Sequence, residues 1–126
     1  GMARVVEALV PVLDHFSLAL EMDPASTSAD QVIGGVKVIR DELTRALAAY
    51  GVTPIEPTKG EAFDPMRHEA MMMAEDASVD PGCVVMMLQK GYALGDRVVR
   101  AAKVSVRPGS DGPCDGPDEN APAEDA

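Results

Sequence analysis

The sequence predicts an α+β protein: a helical hairpin that forms half of a dimeric four-helix bundle, followed by a small, mostly β unit. Three observations predict it. Apolar residues recur at helical spacing twice before residue 51, and the period then shortens to strand-like runs and alternation over 52–107. Beyond residue 107 the pattern stops, because 108–126 is built of Pro, Gly, Asp and Glu with almost nothing to bury. The expected divisions are therefore 1–51, 52–107 and a disordered acidic tail over 108–126.

The first helix is read from residues 3–22. Val5, Leu9, Val12, Phe16 and Ala19 form one apolar row, and Val6, Leu13 and Leu20 form a second. Pro11 lies inside this pattern and removes one helical hydrogen bond, which predicts a kink or a helix start there. Asp23-Pro24 ends the helix. Ser28 and Gln31 fit a capping box for the second helix. Its stripe runs Val32, Val36, Ile39, Leu43, Ala46 and Tyr50, and Gly51 supplies the stop. Gly34-Gly35 is costly near a helix start, about 1 kcal/mol each relative to Ala. The pair fits either a loose first turn or a place where another backbone comes close. Two wide apolar faces in one hairpin cannot cover each other fully, so a homodimer is expected.

In the second unit, "VTPI" reads as a short strand. Asp64-Pro65 caps a single helical turn in "FDPMRHEA", and "AMMMA" and "CVVMML" have strand length. "KGYALGDRVV" reads as strand, tight turn, strand. In "RVVRAAKVSVR", Ala102, Val104 and Val106 alternate with Lys103, Ser105 and Arg107. Aromatic content is 3% with no Trp, so Val, Leu, Ala and Met must fill the core, and the Met71–Met73 run is read as core filling.

Net charge is −10, which argues against nucleic acid as a partner. No apolar run approaches the ~20 residues of a membrane span. Within this acidic chain, residues 90–107 hold five basic residues against Asp96 alone, a basic segment suited to an acidic partner. The two cysteines, Cys83 in a strand and Cys114 in the tail, make a poor disulfide pair, and a reducing cytoplasm is expected. The cysteines and the two histidines, His15 and His68, show no metal-ligand spacing, and no phosphate loop precedes a helix, so no metal and no cofactor are expected. A competing reading makes Cys83 and His68 the nucleophile and base of a small thiol or hydrolytic enzyme. The apolar setting of Cys83 in "GCVVMML" favours a buried, inert thiol.

Taken in order, "VPVLDHFSLAL", "GGVKVIRDELTRALAAYGV", "FDPMRHEA" and "PGCVVMMLQKGYALGDRVVRAAKVSV" resemble the C-terminal part of GrpE-type nucleotide exchange factors, over about residues 4–107. The resemblance implies a homodimer with a four-helix bundle and one β wing per chain. It implies no catalysis but binding to the ATPase domain of a DnaK-type chaperone, whose cleft is opened so that ADP leaves. It places the chaperone contact on a face carrying Leu88, Arg97 and Val106, with a second candidate at the bundle edge around Gly35. Arg100 is nearby and open to a structural role. His68 is expected to make a structural hydrogen bond where the Asp64 turn meets the wing. The long paired N-terminal helix of that family has no counterpart in this sequence, so its functions fall on no residue here.

Overall fold

The computed structural model describes residues 1–109 and Cys114. Two helices are followed by six strands, and the chain divides into two compact units, Gly1–Thr53 and a second that begins at Pro54. The α+β class read from the sequence is the class observed.

In the first unit, helix α1 (Met2–Leu20) is continuous through Pro11 and begins at Met2, so Pro11 does not start the helix. Pro11 lies on the exposed side, where the lost hydrogen bond faces water instead of the neighbouring helix. Helix α2 (Ala29–Ala48) starts at the expected capping box. The Gln31 N–H donates to Ser28 Oγ at 3.1 Å, and the Ser28 N–H donates to Gln31 Oε1 at 2.8 Å. Past its end, Gly51 takes the left-handed conformation, φ 88°. Val12 and Ile39 are the buried residues of the hairpin. Tyr50 ties its end to its beginning, its hydroxyl donating to the Arg4 carbonyl at 3.0 Å. The second apolar row is left uncovered: Leu13 is 62% exposed and Leu20 85%.

After the helices come two three-stranded sheets, all of whose strands lie in the second unit except for the first two residues of β1. One has the order β1 (Val52–Ile55), β4 (Gly91–Leu94), β5 (Arg97–Arg100); the other has the order β2 (His68–Met73), β6 (Ala102–Val106), β3 (Val84–Gln89). β6 is the centre of the second sheet, parallel to β2 and antiparallel to β3. Ile55, Val84, Ala93, Ala102, Val104 and Val106 form one core drawn from both sheets, with Phe63 and Val98 packed against it. The predicted alternation of β6 holds for Ala102, Val104 and Val106. Ser105, expected on the outer face, is buried as well, and its hydroxyl has no hydrogen-bond partner among the described residues.

Two expectations fail in this unit. Met71, Met72 and Met73 do not fill the core; they are 49, 55 and 65% exposed. β2 is an edge strand, and a bulge between Ala70 and Met72 breaks its alternation, so only His68 of this strand is buried. The cysteine expectation also fails. Cys83 is bonded to Cys114 in a disulfide, their Cα atoms 5.2 Å apart. The sequence sets them 31 residues apart, but the fold returns the end of β6 to the start of β3. A loop of that length constrains the unfolded chain by about 3–4 kcal/mol. Apart from Pro108, Gly109 and Cys114, the expected acidic tail lies outside the described residues.

Candidate functional site

The β4–β5 hairpin carries the most accessible of the expected contact residues. Leu94 pairs with Arg97 across a two-residue turn in which Gly95 adopts φ 59°. Val98 turns inward onto the core, which sends its neighbours Arg97 and Val99 to the outer face. Arg97 is exposed, and its guanidinium has no hydrogen bond or ion pair among the described residues. Leu94 stands opposite it at 44% exposure, and Val99 follows at 62%. Sequence reasoning did not single out Leu94 and Val99. The alternation of Arg97, Val98 and Val99 held the signal, since burying Val98 exposes both neighbours.

The basic segment divides into used and unused charges. Lys90 pairs with Glu56 at 3.3 Å. The Arg100 guanidinium donates to the Lys90 carbonyl at 2.7 Å and lies 5.6 Å from the Tyr92 ring centre, a structural role. Arg107 donates to the Val79 carbonyl at 2.7 Å and pairs with Glu75 at 3.4 Å. Arg97 and Lys103 remain uncommitted among the described residues.

The three β-unit residues expected on one face come from three strands, Leu88 from β3, Arg97 from β5 and Val106 from β6. Leu88, on β3, is partly exposed, between positions that pair with Val104 and Lys103. Val106 pairs with Val84 at the other end of the β3–β6 ladder and is 6% exposed. It belongs to the core cluster, on the central strand β6.

Gly35, in the first unit, lines a groove of about 290 Å³ with His15, Leu18, Ala19, Met22, Val38 and Ile39. A Cβ at Gly35 would meet the Met22 methyl at 3.4 Å, ordinary contact with a flexible side chain, and among the described residues no backbone atom beyond its own stretch of helix lies within 4 Å of it. At the groove rim, His15 Nδ1 and Glu42 Oε1 are 2.7 Å apart, linking the two helices.

The FDPMRHEA segment is a joint. The Arg67 and His68 N–H groups both donate to the Asp64 carbonyl, at 2.9 and 2.8 Å, closing one turn, and Asp64 Oδ1 accepts from the Met66 N–H at 2.9 Å. The buried His68 ring accepts the Asp64 N–H at Nδ1, 3.0 Å away, so its other nitrogen carries the proton in the neutral form. Burial pushes the His68 pKa below its ordinary 6.5, against the opposing pull of Glu61 and Asp64. Beyond β2, Asp76 locks the next loop. Ser78 donates to it through both Oγ (2.5 Å) and N–H (2.9 Å), Lys59 pairs with it at 3.0 Å, and these bonds hold its carboxyl down to about 2.

Cys83 and His68 do not form a catalytic pair. The sulfur of Cys83 is committed to Cys114, and the buried His68 ring serves the Asp64 turn. Among the described residues no group of three His, Cys, Asp or Glu side chains is placed to hold a metal ion, and no helix is long and apolar enough to cross a membrane.

The order of elements, two helices and then a two-sheet β unit built around FDPMRHEA and LQKGY, can now be compared with known proteins. The GrpE family profile matches residues 1–107. This chain belongs to the GrpE family. It is 44% identical to Protein GrpE of Bacillus pumilus over 103 residues, which is 82% of this chain and 55% of the relative. Against Protein GrpE of Bacillus licheniformis it is 40% identical over 103 residues, 82% of this chain and 53% of that protein. Protein GrpE of Geobacillus kaustophilus is 43% identical over 98 residues, covering 78% and 46% respectively. The chain thus spans about half the length of the GrpE relatives it matches.

Proposed function

We propose that this GrpE-family chain is a co-chaperone that promotes ADP release from a DnaK-type chaperone in the cytoplasm. It acts as a homodimer, joined through the uncovered apolar rows of α1 and α2. The β unit enters the nucleotide-binding cleft of the chaperone's ATPase domain and holds it open. The observation that carries this reading is the GrpE match over residues 1–107, which spans both units.

The mechanism needs no bond to be made or broken. A protein that binds the open, empty ATPase domain more tightly than the ADP-bound one must weaken ADP binding by the same factor. The chain supplies a small, closely packed β unit that exposes Arg97, Leu94 and Val99 on one hairpin and Leu88 on β3. Arg97 and Lys103 are the charges of the basic segment available to an acidic cleft, because Lys90, Arg100 and Arg107 are engaged within the unit, and Arg97 is the more exposed of the two. Val106 supports this surface from the core, and the groove edge at Gly35 is a second contact.

Stopped-flow release of labelled ADP tests the proposal. The chain should accelerate release, and Arg97→Ala should reduce the acceleration without unfolding the β unit. A charge buried on docking costs about 2–5 kcal/mol when truncated, seen mainly as faster dissociation, whereas a rim charge alters association rate and salt dependence. Full acceleration by Arg97→Ala at low and high salt would remove Arg97 from the site. No acceleration by the unaltered chain would remove the exchange function.

A further inference from the structure

The Cys83–Cys114 bond joins a fixed residue to one delivered by the chain's exit from β6. The Cys83 N–H donates to the Asp80 carbonyl at 3.1 Å, and its own carbonyl accepts the Arg107 N–H at 3.0 Å. Next to it, the Val84 N–H donates to the Glu61 carbonyl at 2.9 Å, and the Val84 carbonyl accepts from the Gly60 N–H at 2.8 Å. Arg107 is anchored in turn: its carbonyl accepts the Gly82 N–H at 2.9 Å, and its guanidinium reaches the Val79 carbonyl. Gly109 lies so close that a Cβ there would stand 2.6 Å from the Gly82 nitrogen.

Folding therefore changes the closure problem. In the unfolded chain the cysteines are 31 residues apart. In the folded unit Arg107 already touches Cys83, and only the segment from there to Cys114 must close. Few residues separate Arg107 from Cys114 in the sequence, and short tethers give effective concentrations in the mM range, so the intrachain bond forms in preference to a second adduct with a small thiol. The sulfurs differ in access as well, since Cys83 is fully buried and Cys114 only partly.

We infer that Cys83 and Cys114 form a reversible redox site, exchanging with small disulfides of the glutathione type. On oxidation the Cys114 thiolate attacks the small disulfide, forms a mixed disulfide and expels one thiolate. Cys83 then gives its proton to solvent and attacks the Cys114 sulfur, expelling the second. Two protein thiols and one small disulfide become one protein disulfide and two small thiols. Reduction runs in reverse, through attack on the more accessible Cys114 sulfur. Beyond residue 107 the chain carries six acidic residues and no basic one.

The full chain is equilibrated in a series of glutathione and glutathione disulfide mixtures, quenched with an alkylating agent and digested with trypsin. The expected product is a linked pair of peptides, 68–90 with 104–126, which grows with the disulfide ratio and vanishes in a dithiol. Hydrogen exchange on the same samples should show the Gly82 and Arg107 amides losing protection on reduction. Cys114→Ser should fold, give no linked pair and exchange at those amides like the reduced protein at every ratio. Alkylation of both thiols throughout the series, glutathione on Cys114 as the sole product, or chains joined through Cys114 would overturn the inference. So would equal exchange at Gly82 and Arg107 in oxidised protein and Cys114→Ser, because the bond would then hold nothing in place.

Discussion

Gly91→Ala should destabilise the β unit while leaving the helical hairpin intact. Gly91 opens β4 within LQKGY, and the backbone of residues 100–102 passes directly against it. A Cβ built on Gly91 would lie 2.5 Å from both the Ala102 nitrogen and the Arg100 carbonyl oxygen, and 2.7 Å from the Ala101 carbonyl carbon. These are backbone atoms that no rotamer change can move. Ala102 begins the central strand β6 and is fully buried, so relief would require shifting the strand on which the core is built. Overpacking of this kind costs about 1–3 kcal/mol, and the absence of a flexible neighbour places this case at the upper end. For a unit of this size each kcal/mol lowers the melting midpoint by roughly 4–8 °C. Denaturant titration followed by Tyr92 fluorescence in a Tyr50→Phe background would isolate the β unit. Gly34→Ala is the matched control. Among the described residues no atom outside its own helix lies within 4 Å of a Cβ there, so it should stabilise α2 by about 0.5–1 kcal/mol. An unchanged β-unit midpoint in Gly91→Ala would refute the close-approach argument.

Because burial lowers the His68 pKa, the unfolded state binds the proton more readily. The stability contributed by neutral His68 is present above 6.5 and is lost as the pH falls from there through the folded-state value. His68→Asn keeps an acceptor for the Asp64 N–H, and its denaturation midpoint should be flatter over that window; a wild-type-like slope would assign the pH effect elsewhere. Ser105→Ala should be neutral or stabilising by up to about 1 kcal/mol, since it removes a buried hydroxyl without a partner among the described residues, and a loss above about 1 kcal/mol would reveal an unseen partner. Leu43→Asp should abolish dimerisation in sedimentation experiments run across a range of concentrations, and a stable, fully helical monomer of the unaltered chain would contradict the proposed bundle.

How much the sequence disclosed depends on the range of the interactions involved. The α2 capping box spans four consecutive residues, so Ser28 and Gln31 announce it without help from the fold. The two helical stripes and the β6 alternation are equally local, and each places its element correctly. The Met71–Met73 run was misread because its burial depends on which strand lies in the middle of the sheet and where the bulge falls, and neither is encoded in the run itself. Val106 stands with Ala102 and Val104 on the face that the alternation identifies, and that face is the core. The disulfide needed the return of β6 to β3, a pairing no spacing rule predicts. At the candidate site, Arg97 is singled out by the resemblance together with the basic segment that contains it. Leu94 and Val99 were missed because an exposed apolar residue looks like a core residue until its strand is oriented.

The central claim is differential affinity for two states of the chaperone. The most direct measurement is the dissociation constant of this chain for the chaperone's ATPase domain without nucleotide and with saturating ADP, alongside the ADP dissociation constant with and without the chain. Linkage requires the two ratios to agree. The account predicts tighter binding to the empty domain, by the same factor that the chain weakens ADP. Equal affinity for the two states would contradict it, however tightly the chain binds.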